Sequence, residues 1–417
     1  MKKILFISLW IVSLAIASIY TYEHPEKIEI IKSFFYEKKE PEIKYVNKEI
    51  KKISANSFNV EFSKIISISE KTAFIVYDEN ISNFDEKKLK IYTQNGYLIN
   101  KGISKKLNLP KEFTTQRNGG IKTVFIYKNN EFALISSSKK NCFYASIVTL
   151  IDGKEIFKTK CLMDTKKNTD FNGLGSSSVH FENKIFLSIG APEQGSQKIR
   201  VLAQDQTSMF GKIVELSKIE LDRIILKEKN NLSLNIFTSG HRNPQGLTIL
   251  KDSIFSVEHG PLGGDELNKI IKNKNYGWPI VSYGTRYMYD KKGEFFDISH
   301  ENKKFEEPIF ALVPSVGISS LNVCPTKLKD YYKKPCLVAL SLFGNNLRPG
   351  RSIIIFLLNE KMNKIHSLEK IYIGNDLLFR HFVTNSKNEL YEDEEGNIYV
   401  SADKKGIYKI NFVEFRR

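Results

Sequence analysis

The sequence predicts an all-β fold assembled from four-stranded blades repeated around an axis, and three observations predict it. From Ser54 onward the chain runs through short apolar alternations rich in β-branched and aromatic residues, bounded by Gly, Asn and Asp. KTAFIVYD (71–78), EFALISSS (131–138), KIFLSIGAP (184–192) and SIIIFLL (352–358) are examples. Ten-residue units also recur, in which a polar turn leads into a strand ending near Gly or Asp. FENKIFLSIG begins at Phe181, KDSIFSVEHG at Lys251 and EEGNIYVSAD at Glu394. The starts lie roughly 70 and roughly 145 residues apart, spacings that suit four-stranded blades with insertions. Finally, helical periodicity is scarce after residue 52, and many short strands with few helices mean a sandwich, barrel or propeller. The recurrence favours the propeller, and the last unit lies close enough to the C-terminus for the chain ends to close the ring.

Length and composition fit one large β unit. The chain has 417 residues, 41% of them hydrophobic, which is ample for a sizeable core. Its 63 Lys and Arg against 47 Asp and Glu give a formal charge of +16. The lysines are spread along the chain with no dense basic block, and the aromatics fall inside strand-like runs. This is a solvated basic surface and not a nucleic-acid arm.

The N-terminus predicts export. Lys2 and Lys3 precede an apolar run from Ile4 to Ala17 that ends in Ala15-Ile16-Ala17, a signal peptide with cleavage expected after Ala17. The run extends to Tyr22, about 19 residues, so an uncleaved membrane anchor is the alternative. Either way the body is periplasmic or held on the outer face of the cytoplasmic membrane. Residues 23–52, rich in Lys and Glu, read as a charged spacer or peripheral helix, and 53–417 as the propeller. Four cysteines in an exported chain suggest two local disulfides, Cys142–Cys161 and Cys324–Cys336; four buried thiols are the alternative. No CxxC spacing or His/Cys cluster suggests zinc.

The densest turn chemistry lies in Thr238–Ser282, where HRNPQG, EHGPLGGDE and NYGWP are separated by two short apolar runs. So many Gly and Pro residues suggest backbone approaching a ligand, a metal or another strand, or else a set of tight inter-strand turns.

GHRNPQGL (240–247), EHGPLGGDELN (258–268) and NYGWP (275–279), in this order and spacing, resemble the soluble quinoprotein glucose/sorbosone dehydrogenase family, its aldose sugar dehydrogenase branch above all. LAQDQTSMFGKIVEL (202–216) and VPSVGISSL (313–321) also fit the family pattern. The resemblance runs from roughly Gly119 to Ile410 and is strongest in Leu202–Gly284. It implies a six-bladed β-propeller that binds pyrroloquinoline quinone (PQQ) and calcium in an axial cleft and oxidises sugar hydroxyls. That chemistry needs a base for the hydroxyl proton, fixed cations for the quinone carboxylates and oxygen ligands for a hard cation. By resemblance Arg242, Asn243 and Gln245 line the quinone pocket, and the carbonyls of Gly260 and Pro261 ligate calcium. The plain alternatives are a turn held by an arginine–carbonyl network and ordinary turn geometry. Asp265 and Glu266 are expected to hold the loop by accepting backbone N–H bonds, and nothing marks His241 or His259 as a base.

Several family positions are replaced. The family's base, in a His-x-Gly-Gly-Arg pattern, falls on Asn172, with Gly175 at the second Gly and Ser176 at the Arg. An amide is no useful base. His180 lies eight residues on, about 26 Å along an extended strand, too far to substitute. Phe343 follows Ser341-Leu342 where the family has Lys. An Arg-x-Arg-Asp pattern falls without gaps on Ser386–Glu389, although a small shift brings in Arg380. These losses predict a catalytically degenerate propeller that binds carbohydrate or a partner protein. The alternative is an active PQQ- and calcium-dependent oxidoreductase with a rearranged site.

Overall fold

The computed structural model describes residues 40–46, 49–77, 84–140, 142–163, 171–192, 200–285, 300, 304–342, 351–373 and 376–416. Six antiparallel sheets form six blades. From the axis outward, blade 1 comprises Thr72–Val76, Lys90–Thr93, Tyr97–Asn100 and Ile103–Lys106. Blade 2 comprises Ile121–Tyr127, Asn130–Lys139, Cys142–Thr149 and Glu155–Lys158, and blade 3 Ser178–Phe181, Lys184–Ile189, Lys212–Ser217 and Asn235–Ser239. Blade 4 is Pro244–Leu250, Ser253–Glu258, Asp265–Ile270 and Phe310–Leu312, and blade 5 Ile318–Val323, Cys336–Ser341, Ser352–Leu358 and Ile365–Tyr372. Blade 6 combines both ends of the chain: Phe379–Phe382, Ile398–Ala402 and Gly406–Val413 are completed on the outside by Asn59–Ile68. Each inner strand touches the next, and Phe379–Phe382 returns to Thr72–Val76, so the ring closes. The expected six-bladed propeller is what the chain forms.

The three recurring units become the second strands of blades 3, 4 and 6, Lys184–Ile189, Ser253–Glu258 and Ile398–Ala402. The doubled interval between the last two is blade 5. The hydrophobic core is divided into layers between neighbouring blades, so blade strands are apolar on both faces. Strand Ser352–Leu358 is buried throughout. Its Ile353, Ile355 and Leu357 pack between blades 5 and 6, while Ile354, Phe356 and Leu358 pack between blades 4 and 5. The two-residue side-chain period divides one continuous apolar run between two layers.

The spacer does not stay a spacer throughout. Ile43–Tyr45 and Ile50–Ser54 are strands paired with Asn59–Ile68. They are mostly exposed. Backbone hydrogen bonding to an open sheet edge recruits them, and that requires little apolar content. All described strands belong to one compact unit, Glu42–Arg417. The apolar run at 1–22 and most of the spacer lie outside the described residues. Among the described residues no helix is long and apolar enough to cross a membrane. Both disulfides form as paired in the sequence reading, Cys142–Cys161 and Cys324–Cys336, with Cα atoms 5.3 and 5.4 Å apart.

Candidate active site in the axial cleft

The three motifs of Thr238–Ser282 converge on one end of blade 4. The Gly240–Asn243 turn carries the chain from the outer strand of blade 3 to the inner strand of blade 4. Gly240 has φ 76°, and a Cβ there would lie 2.1 Å from Asn275 Oδ1, so the NYGWP turn packs directly on this backbone. Trp278 N donates to Gly240 O (2.9 Å), and Tyr276 N to Ser239 O (2.9 Å). Gln204, from the LAQDQ segment, clamps the turn through Trp278 O (2.6 Å) and Asn275 (2.7 Å).

Buried acids hold the turn from behind. Glu258 accepts from the Arg242 backbone N–H (2.7 Å) and from Asn268 (3.0 Å), and lies 2.9 Å from His241 Nδ1. His241 Nε2 is 2.8 Å from the Thr238 hydroxyl, and the ring stacks on Tyr276, so this histidine is committed to the scaffold. Asp265 takes the role expected of it. One carboxylate oxygen accepts from Gly260 N (3.0 Å), and the other accepts from Val316 N (2.9 Å) and Ile318 N (3.1 Å). Glu266 differs from expectation: it accepts from the Asn268 side chain (3.2 Å), and burial, followed by neighbouring Glu258, raises its carboxyl well above the usual range.

Arg242 donates through Nη1 to the carbonyls of His259 (2.9 Å) and Gly260 (2.5 Å), and its guanidinium lies over the Trp278 ring. This is the arginine–carbonyl network anticipated as the plain alternative. Asn243 is the hub beside it. Its amide reaches Asn172 O and His259 Nδ1, both at 3.4 Å, while Gln245 donates to Asn243 Oδ1 (2.8 Å). Gly175 lets the strands of blades 3 and 4 meet here, since a Cβ on it would lie 2.2 Å from Asn243 Oδ1.

Arg242, Gly260 and Pro261 line a separate pocket beside Trp278. Asn243 and Gln245 form one wall of a cleft to which all six blades contribute. Asn172, Asn243, Gln245 and His259 line it, opposed by Lys71, Gln94, Lys122, Arg380 and His381. No Asp or Glu lines it among the described residues. Arg380 is held in a two-point ion pair with buried Asp403, with Nε 2.5 Å from Oδ1. Lys122 Nζ donates to the carbonyls of Asn118 (2.6 Å) and Phe171 (3.0 Å). Burial and the Arg380 charge lower the Lys71 ammonium below the usual lysine value. Burial likewise lowers His259, and burial with the Arg380 charge pushes His381 down to about 3, so both rings are neutral near pH 7.

The structure thus returns cations to the cleft, Arg380 as the small shift allows and Lys71 and Lys122 from positions that the resemblance did not assign. Arg380 replaces the ungapped placement on Ser386–Glu389, none of which lines the cleft. Those four residues lie in a turn inserted after the inner strand of blade 6. Asn388 in that turn donates to Ser178 O (2.6 Å) and accepts from Asn322 (3.2 Å), away from the cleft. His180 does not line the cleft, Leu342 does, and Phe343 lies outside the described residues. Lys71, Lys122 and His381 carried no sequence signal beyond a place at the start of an inner strand or within it.

A sequence profile of the Glucose / Sorbosone dehydrogenase family matches residues 97–377. The chain belongs to that family. Among curated relatives of this glucose/sorbosone dehydrogenase family member, the aldose sugar dehydrogenase YliI of Escherichia coli K12 is 33% identical over 150 residues, 34% of this chain and 38% of the relative. Quinoprotein glucose dehydrogenase B of Acinetobacter calcoaceticus is 30% identical over 189 residues, 37% of this chain and 38% of the relative. The chain therefore spans less than two fifths of either relative's length. In fold it is similar to the apo form of the soluble aldose sugar dehydrogenase from Escherichia coli, with TM-score 0.61, 20% identity, and 89% of this chain and 99% of the other covered. It is also similar to the PQQ-bound aldose sugar dehydrogenase from Streptomyces coelicolor, with TM-score 0.54, 13% identity and coverage of 88% and 98%.

The cleft fits a polyanionic planar cofactor such as PQQ, because it combines cations with amides and has no acidic lining among the described residues. Calcium on Gly260 and Pro261 fits less well. Arg242 already donates to the Gly260 carbonyl, so an ion sharing that oxygen would sit beside a guanidinium of like charge. Among the described residues no three His, Cys, Asp or Glu side chains cluster as a metal site.

Proposed function

We propose that this chain is a PQQ-dependent oxidoreductase acting on sugar hydroxyls, with a site rearranged from the family pattern. The observation that carries the reading is the convergence of Lys71, Lys122 and Arg380 on a cleft that also holds Asn243, Gln245 and His259 and has no carboxylate among its described lining residues. PQQ, when bound, supplies the two-electron acceptor. Arg380 is rigidly aimed by Asp403 and would hold a cofactor carboxylate, while the amides of Asn243 and Gln245 would fix the ring edge. Asn172 stands at the expected base position and can donate or accept a hydrogen bond but cannot usefully take a proton. Among the described lining residues the groups able to take one are His259 and His381. His259 is better placed, because its Nε2 is buried at the cleft and has no hydrogen-bond partner among the described residues.

Asn172 favours a second reading, an exported propeller that binds carbohydrate or a partner protein without turnover. In both readings export rests on the Lys2–Ala17 segment, and the two local disulfides suit an oxidising compartment.

Titration of the purified protein with PQQ, with and without calcium, followed by aldose-dependent reduction of an artificial electron acceptor, separates the readings. Binding with turnover is expected, and His259→Gln should lower kcat by about 10² to 10⁴ while leaving PQQ affinity within a few fold. Binding without turnover supports the second reading. Neither binding nor turnover overturns the enzyme.

A further inference from the structure

Lys212 is a fully buried lysine outside the cleft lining. It opens the third strand of blade 3 opposite Ser239, just ahead of the Gly240–Asn243 turn. Each of its three N–H donors meets a backbone carbonyl: Leu202 O (2.9 Å), Ala203 O (2.8 Å) and Phe210 O (3.0 Å). Those carbonyls belong to the two ends of one loop, Leu202–Phe210, so the ammonium closes the loop as a bound cation would. Burial, opposed by the Asp205 charge, lowers the ammonium to about 8, and it stays mostly charged at pH 7. Asp205 is turned back on the loop, accepting from Thr207 N and Thr207 Oγ1, both at 2.8 Å. Among the described residues it is carbonyl dipoles, not a carboxylate, that compensate Lys212 at hydrogen-bond distance.

We propose that Lys212 is a positioning residue for the blade 4 wall of the cleft, acting through the loop that it closes. Two contacts carry the effect. The Ala203 carbonyl that accepts from Lys212 also accepts from Gly240 N (3.0 Å), at the head of the turn that delivers Asn243 to the cleft. Gln204, the next residue, holds Trp278 O (2.6 Å) and Asn275 (2.7 Å), and the Trp278 ring lies under the Arg242 guanidinium. The packing leaves no slack, since a Cβ on Gly211 would lie 2.4 Å from Ala203 Cβ and 2.7 Å from His241 O. An uncharged side chain of similar length leaves three buried carbonyls without a donor, and water drawn in to satisfy them loosens the loop from the turn. The inference rests on the reading of the cleft as a PQQ site and extends that site to a residue outside its lining.

Trp278 reports the turn, because the other tryptophan, Trp10, lies in the N-terminal apolar run and can be replaced. In full-length protein carrying Trp10→Phe, two quantities are measured: Trp278 emission without ligand, and PQQ affinity by titration. The parent is compared with Lys212→Met, Gln204→Ala and the double variant. Lys212→Met is expected to move Trp278 emission to longer wavelength and to weaken PQQ about tenfold, the effect of one lost charge-assisted hydrogen bond. Because both substitutions act through one loop, the double variant should fall short of the product of the single losses by about threefold or more. A folded Lys212→Met with a lower urea midpoint but unchanged emission and PQQ affinity overturns the proposal, and so do fully multiplicative losses. Should Lys212→Met not fold, Gln204→Ala decides, and unchanged emission and affinity in that variant overturn the proposal. A parent that binds no PQQ sinks the cofactor reading, and ligand-free emission still shows whether Lys212 positions the turn. A parent that binds PQQ, with both variants unchanged, sinks the role of Lys212 and not the cofactor reading.

Discussion

Asp265 holds the candidate site together with three backbone N–H groups drawn from two loops, those around Gly260 and around Val316–Ile318. Removing the carboxylate leaves buried donors without acceptors, each costing about 1–3 kcal/mol, with partial rescue by water. Asp265→Ala is therefore expected to destabilise the fold by about 3 kcal/mol, read as a lower urea midpoint, whereas Asp252→Ala on an exposed turn should change it little. His180 supplies a pH test outside the cleft. Burial, and then Lys218 and Lys387, push its imidazole from 6.5 down to about 4. Between those values the unfolded chain holds the proton and the folded chain does not. Stability from this residue is complete above about pH 6.5 and is lost as pH falls toward 4. Thermal melts from pH 7 to 4 should show a decline that His180→Gln makes shallower.

Elements differ in how openly they declare themselves. The run SIIIFLL announces a strand buried on both faces, and the structure buries it so. The motif turn at Gly240 was equally plain, because a Cβ there would lie 2.1 Å from the Asn275 side-chain oxygen, and Gly175 is required in the same way, 2.2 Å from that of Asn243. The edge strands Ile43–Tyr45 and Ile50–Ser54 were hidden in a lysine-rich spacer, since a sheet edge selects backbone and not side-chain pattern. Arg380 was obscured by the turn that follows its strand. Asn385 caps that turn by accepting from Lys387 N (2.9 Å) and Glu389 N (3.0 Å), and an alignment without gaps slides across it onto Ser386–Glu389. Sequence offered no rule for choosing between the two placements. The lining of the cleft did.

For the whole molecule the decisive joint is blade 6. Gly406–Val413 lies between Ile398–Ala402 and Asn59–Ile68, and it pairs the C-terminal strands with the N-terminal one. The C-terminus is fastened there as well, with Arg416 donating to Asn59 Oδ1 (2.6 Å) and Asn56 O (3.0 Å). A chain truncated after Lys405 should fail to close its ring. Size-exclusion chromatography is expected to give aggregate or an expanded species, and limited proteolysis to lose the protected propeller core. A compact, protected monomer would contradict this closure.

The sequence by itself determined the blades, the paired cysteines, the glycine-rich turns and the family, because each depends on residues near one another in the chain. Side-chain period, turn chemistry and short loop closure are local, and they survive the replacement of distant residues. Only the tertiary structure decided what shares the cleft with Asn243 and Gln245. Lys71, Lys122 and Arg380 are three of 63 basic residues, and nothing local separates them from those on the solvated surface. The ring brings their inner strands to one axis, where no Asp or Glu joins them among the described lining residues, so charges that are ordinary in the sequence converge on one cleft in the fold.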